Sequence, residues 1–414
     1  MSHIVRMTGF PPGGAPSWAL AEPPSWQGFG PHSATGGLPA DPTGWSADFS
    51  AGLYRRSGLP LTANEACATL RNSVALGVEA GGALRQFAVN EMPVLAGLGL
   101  DVWGQCLNKC EIYNAAPADI SGLVKSGAAT STLSVVDDSA EILAAGLSGV
   151  CSGQVYKLDN SLGATNARAN ANKGIAGNTN PHNLSVYWRG TGMAGLDFSE
   201  TADQVLPATY ERYDVNRTPA SAANYWRIHA APGAVVYFIL CQLEERSLVS
   251  PPIVTAGAAA ARLATDVTIR DFGALAAARG LQDGFGGSIR VNLTQLSGSA
   301  VRGLAAFGAD ANNCLKLQIG TDGKVRMILR KAGADVLTLA TADGFAAPGP
   351  KVIDFNAVPG TGFSLSATGL MPPASIMSSE ALPGIDGAAP SVGSLFGALH
   401  LNGILEAIGL RSAV

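Results

Sequence analysis

Glycine occurs 51 times and proline 24 times in this chain of 414 residues. Between them lie short runs in which apolar and polar residues alternate. A long helix tolerates neither residue in its interior, so this punctuation directs the chain towards short strands joined by turns. Charged residues are 14% of the chain and apolar ones 47%, which excludes a disordered polyelectrolyte and leaves ample surface to bury. At ~150 residues per domain, two or three domains are expected.

The clearest runs are 153–158, 183–190, 224–230, 234–244 and 287–293. Cys314–Gly320 and Lys324–Arg330 flank Asp322-Gly323, the strongest hairpin signal of all, and a last strand is expected within 399–411. Thr62-Ala63-Asn64-Glu65 has the form of a capping box, predicting a short helix to about Leu70. Two short runs around Gly81-Gly82 predict a hairpin. These features give an all-β fold with two tandem antiparallel sandwiches. The expected division is an arm (1–50), a small connector (51–103), a jelly-roll sandwich (104–250), a linker (251–264) and a concanavalin-like sandwich (265–414).

Residues 1–50 are rich in proline and glycine and carry Trp18, Trp26, Phe29 and Trp45. Proline withholds a backbone donor from helix and sheet, and large aromatics on an unpaired segment favour docking into a partner. An anchoring arm that inserts these four side chains into another subunit is the expectation.

The net charge is −4, and 27 Lys and Arg are spread along the chain. A nucleic-acid groove requires a dense cationic stripe, so no nucleic-acid partner is expected. The most apolar stretch, Ala234–Leu243, is shorter than the ~20 residues of a membrane helix, so no membrane insertion is expected. The N-terminus has no apolar signal-peptide core. Six scattered cysteines (Cys67, Cys106, Cys110, Cys151, Cys241 and Cys314) read as small buried hydrophobes. No metal and no cofactor are expected.

The succession Gly97–Val102, Cys106-Leu-Asn-Lys-Cys110, Val186-Tyr-Trp-Arg-Gly190, Cys241–Glu245, Arg262–Asp266 and Gly403–Arg411 resembles phage tail-fibre and head-spike proteins with tandem lectin-like sandwiches. Head spikes of gene transfer agents are among them. The resemblance covers about residues 95–414. It implies a virion appendage on the surface of a phage-like particle assembled in the bacterial cytoplasm. It also implies a homo-oligomer (a trimer) and binding of host capsular polysaccharide or another surface glycan; residues 1–50, for which the resemblance does not account, are expected from their own sequence to anchor the chain to a capsid or tail protein of that particle.

Sugar binding requires an apolar platform for ring C–H faces and polar groups for hydroxyls. The candidate residues are Tyr187, Trp188, Arg189, Asp197, Tyr225 and Trp226, with Tyr213, Asn183 and Arg227 as further lining. Neighbours in a strand face opposite ways, so one residue of Tyr187/Trp188 and one of Tyr225/Trp226 is expected outside the core. Hydrolysis would require two carboxylates. Asp197 with Glu200 is one pairing; Glu244 and Glu245 are expected on opposite faces; Asp137-Asp138 reads as a solvated turn. No nucleophile elbow or phosphate loop occurs, so a non-enzymatic role is expected. A ligand-free connector and a polysaccharide depolymerase are the alternatives.

Overall fold

A computed structural model describes residues 44–198, 203–246, 249–293, 301–384, 389–396 and 398–412. The fold is all-β, with antiparallel strand pairing throughout its sheets. Two compact units emerge. One gathers the described residues of Met1–Leu70 with Val94–Gly104 and Thr265–Val414; the other comprises Arg71–Pro93 and Gln105–Ala264.

In the second unit two five-stranded sheets sandwich one core. The first runs in the order Leu123–Gly127, Ala167–Ile175, Tyr225–Ala230, Met193–Asp197, Gln204–Val205. The other runs Thr132–Asp137, Gln154–Asp159, Val235–Glu244, His182–Thr191, Glu211–Arg217. Ala167, Ala169, Trp226, Ile228 and Leu196 meet Tyr156, Leu184, Trp188 and Phe238 between them. Trp188 stacks on Tyr213 at 4.6 Å.

The far side of the Thr132–Asp137 sheet is also covered. Ile142, from the helix Ser139–Ala144, joins Leu147, Cys151, Val155, Tyr187, Tyr210 and Ile239 in a second cluster. Tyr187 and Trp188 do face opposite ways, but each side has its own core, so both are buried. The expectation that one of them would be exposed fails for that reason. It holds for the other pair: Trp226 is fully buried and Tyr225 is 39% exposed.

The first unit pairs a ten-stranded with a seven-stranded sheet. Phe285 and Phe355 of the larger sheet pack on Phe307 of the smaller, with ring centroids 5.0 and 5.9 Å away. Burying such a ring is worth roughly 1.5–3 kcal/mol. The Asp-Gly hairpin is present: Ile319 pairs with Val325 and Gly323 adopts φ +73°, the left-handed region that favours glycine.

Three expected boundaries are corrected. The arm does not extend to residue 50, because Trp45–Asp48 is a strand inside the ten-stranded sheet, paired to the last strand Gly403–Ser412 on one side and Leu53–Arg56 on the other. Trp45 is 1% exposed and belongs to this core; Trp18, Trp26 and Phe29 lie outside the described residues. Residues 51–103 are no independent connector, because they are divided between the two units. Nor are 251–264 a bare linker, since Ala260–Arg262 pairs with Cys106–Asn108.

Smaller readings hold in part. The capping box of Thr62 and Glu65 is present, but its helix is only Ala63–Ala66 before the chain turns into the strand Cys67–Leu70. The hairpin at Gly81-Gly82 joins Ala75–Val78 to Leu84–Phe87. All six cysteines are buried and unpaired in disulfides.

Candidate functional site

The sheet containing Tyr225–Ala230 has one apolar and one polar face. Its strand Ala167–Ile175 begins Ala-Arg-Ala-Asn-Ala, so Ala167, Ala169 and Ala171 fill the core and Arg168 and Asn170 stand on the other side. In the neighbouring strand Trp226 and Ile228 point inward, leaving Tyr225, Arg227 and His229 on that same outer side.

Strand register lines these residues into rows. Val124, Asn170, Arg227 and Asp197 are successive cross-strand partners. Ser126, Arg168, His229 and Gly195 form the adjacent row.

Hydrogen bonds stiffen the face. Arg227 Nε donates to Asn170 Oδ1 at 2.6 Å, and Asn170 Nδ2 donates to Ser126 Oγ at 3.2 Å and the Val124 carbonyl at 3.3 Å. Asp197 is 3% exposed and accepts from the Phe198 amide at 2.6 Å and from Arg217 Nε at 3.1 Å. His229 is buried, with Nε2 2.6 Å from Asp203 Oδ1.

The terminal amino groups of Arg227 have no hydrogen-bond partner among the described residues. Burial, then the charge of Arg168 beside it, pulls the Arg227 guanidinium below its ordinary pKa, and Asp197 opposes them. Two like charges are therefore held together on a partly desolvated surface. An anion received there relieves the repulsion and fills the open donors.

The structure sorts the expected site residues. Tyr225 is on this face, with Arg227 beside it. Asp197 is here too, as a brace for Arg217 and the Phe198 amide rather than as an open ligand group. Trp188, Trp226 and Tyr187 are core residues. Arg189 belongs to the other sheet, where Asp138 accepts from its Nε at 2.9 Å, Tyr210 donates to the same carboxylate at 2.7 Å, and the guanidinium lies 4.2 Å from the Tyr237 ring centroid. Asp138 is thus tied into an ion pair, not solvated. Asn183 is buried and bonds Asn216.

Among the described residues, Glu244 and Glu245 do not come together as a carboxylate pair. Glu200 lies outside the described residues. Glu244 is buried among Gln242 and Ser250, while Glu245 turns to Lys109 and Asn180, as their opposite faces require.

Arg168, Asn170, Arg217 and His229 were not among the expected site residues. The signal for the first two was present in the strict alternation of alanine with polar residues from Ala167 to Ala171. His229 reaches the face only through strand pairing, and Arg217, from the other sheet, only through its ion pair with Asp197.

No family model matches the chain, and no curated protein matches it in sequence. Among solved structures it is similar to the CBM40 of the Ruminococcus gnavus IT-sialidase, at 19% identity over 34% of this chain and 82% of that one, TM-score 0.27. The same CBM40 has been solved bound to alpha2,6 sialyllactose. A heptameric SAP-like pentraxin from Limulus polyphemus matches 31% of this chain and 61% of its own, at 11% identity and TM-score 0.22. A carbohydrate esterase from the Shiga toxin-encoding bacteriophage phi24B covers 71% of this chain and 92% of its own, at 8% identity and TM-score 0.18. Likenesses this slight carry no argument about function.

Proposed function

We propose that this chain is a non-enzymatic carbohydrate-binding protein and that the outer face carrying Arg168, Asn170, Tyr225 and Arg227 receives an acidic sugar. The observation that carries this reading is the Arg168–Arg227 pair, with the terminal donors of Arg227 open. A guanidinium fork suits a planar carboxylate. Tyr225 offers an exposed ring against which a sugar's C–H face packs, and Asn170 and Ser126 supply amide and hydroxyl groups for the remaining contacts. Asp197 is engaged in holding Arg217, so its carboxylate braces the face and is not an open acid or base on it.

Attachment to a phage-like particle is proposed on the resemblance of residues 95–414, and docking of the leading segment, expected as residues 1–50, into a capsid or tail protein on that segment's own proline- and tryptophan-rich sequence. In an oligomeric appendage, linked copies would raise a weak single-site affinity by avidity.

The test is binding of the full chain to a panel of carboxylated, sulfated and neutral oligosaccharides. Charge-assisted hydrogen bonds contribute about 1.5–3 kcal/mol. Arg227→Ala is therefore expected to weaken binding of the acidic ligand roughly 10- to 150-fold, with an unchanged circular dichroism spectrum. An unaltered affinity in a folded Arg227→Ala protein overturns the proposal, as does the absence of any preference for acidic over neutral sugars.

A further inference from the structure

The ten-stranded sheet of the other unit also has an outer face, and its composition is unlike that of a sheet facing plain solvent. Ser46, Gly409, Ser288, Asp354 and Ser366 are successive cross-strand partners, forming a strip of short side chains across the middle of the sheet. Their strand neighbours Ala47, Ile289, Phe355 and Leu365 point into the core.

Longer polar groups border the strip on both sides. On one side Arg411 donates to Asn356 Oδ1 at 3.2 Å, and Asn356 donates to Ser364 Oγ at 3.4 Å. On the other Arg290 lies between Glu406, 2.7 Å from its Nε, and Asp48, 3.4 Å from its Nη2. Gly286 is needed beside Asn356, because a Cβ at this position would meet Asn356 Oδ1 at 2.2 Å.

At the centre of the strip Ser288, fully buried, and Asp354 are cross-strand partners, so the serine hydroxyl lies beside the carboxyl, but neither Ser288 Oγ nor Asp354 Oδ1 makes a hydrogen bond of good geometry. A buried polar group left without a partner costs about 1–3 kcal/mol, and such groups call for an explanation. Burial raises the Asp354 carboxyl above the usual aspartate range, against the opposing influence of Ser288 and Arg411.

We infer that this face is a second binding site, one that takes an uncharged saccharide. The chemistry of the strip selects that class. A strand-forming peptide requires a free sheet edge, and this is the middle of a sheet. A lipid or apolar peptide requires apolar lining. A nucleic acid or acidic sugar would bring negative charge to a carboxylate already disfavoured by burial. What remains is a ligand rich in hydroxyls. A carboxylate accepts from adjacent hydroxyl donors, serine hydroxyls donate and accept, and Asn356 does both through its amide. The two units then present faces of opposite preference, one built around paired guanidinium groups and one around a carboxylate.

The experiment uses the full chain and calorimetric titration with neutral gluco-, galacto- and manno-oligosaccharides. Wild type is expected to bind at least one of them. Asp354→Asn is expected to weaken that binding tenfold or more, and Ser366→Tyr, which places a ring across the strip, to abolish it. Both variants should keep the wild-type circular dichroism spectrum and any acidic-sugar binding by the other unit, whereas Arg227→Ala should leave neutral-sugar binding unchanged. Failure of the two proposals is thereby distinguishable. If no neutral oligosaccharide binds, or if both folded variants bind as wild type does, the inference is overturned. If Asp354→Asn unfolds the protein, Ser366→Tyr alone decides, and its retention of wild-type affinity is equally fatal.

Discussion

Trp188 and Trp226 show how one residue type takes a structural role at two different sheets. Both lie in the sandwich core of the second unit, and neither meets solvent. Truncating a buried tryptophan costs about 3–5 kcal/mol. Trp188→Ala and Trp226→Ala are therefore expected to lower the unfolding midpoint in urea sharply, whereas Tyr225→Ala should leave it within about 0.5 kcal/mol of wild type and reduce sugar binding. The cysteines are inert for a related reason. Burial pushes the thiols of Cys67 and Cys151 up to about 12 and Cys106 up to about 11, so at pH 8 almost no thiolate forms. A thiol reagent such as Ellman's should label none of the six in the native protein and all of them in guanidinium.

A third residue-scale expectation concerns acid. Asp159 is lowered from 3.8 to about 2, first by the Ser161 hydroxyl and then by Lys157 and the Ser161 amide. Folding favours its ionised form, so the stabilisation is full above pH 4 and is lost as the pH falls towards 2. The pair is on the surface and screened by solvent, which limits the effect to under about 1 kcal/mol. Asp159→Asn should be slightly less stable than wild type at pH 7, with the difference vanishing below pH 2 in urea titrations.

At the scale of the element, the strand Val235–Glu244 shows why alternation is an incomplete guide. Val236 and Phe238 face the sandwich core, and an unbroken period of two would send Leu240 and Gln242 after them. Instead Leu240 adopts φ +55° and the register with His182–Thr191 shifts between Ser185 and Tyr187. This bulge inserts one extra residue, so Cys241 and Leu243 enter the core and Gln242 and Glu244 bond Ser250 instead. Deleting Leu240 restores the simple period while keeping Cys241 and Leu243 inward and Gln242 and Glu244 outward, so what is lost is the buried Leu240 side chain in the second cluster and its amide bond to the Asn114 carbonyl. The expected penalty is about 2–5 kcal/mol, read as a lowered midpoint of thermal unfolding. The helix Phe272–Arg279 carries a comparable lesson: its Ala- and Leu-rich sequence with Gly280 in the left-handed C-terminal position is a helix signal, set within a chain whose wider composition points to strands.

Over the whole molecule, the two ends of the described chain meet within one sheet, because Trp45–Asp48 lies against Gly403–Ser412. Residues 1–50 therefore cannot be removed as a dispensable arm. Truncation to residue 44 should leave the ten-stranded sheet folded, whereas truncation to residue 51 removes Trp45, Ala47 and Phe49, all buried, and is expected to unfold that unit. Comparison of the two by calorimetry decides the point. A truncation to residue 51 with wild-type stability would contradict the strand assignment.

Strand-rich class, the Asp-Gly hairpin, the capping box and most strand positions were set by short-range chemistry: alternation of side chains, the backbone freedom of glycine and the missing donor of proline. Those effects act over a few residues, and so they are written locally. The tertiary structure alone decided that the strand Trp45–Asp48 pairs with the chain's last strand, that Tyr187 has a second core above it, and that Arg168 and Arg227 become neighbours. Each depends on which distant segment supplies the partner, and a period of two names the two faces of a strand without saying what will cover either one.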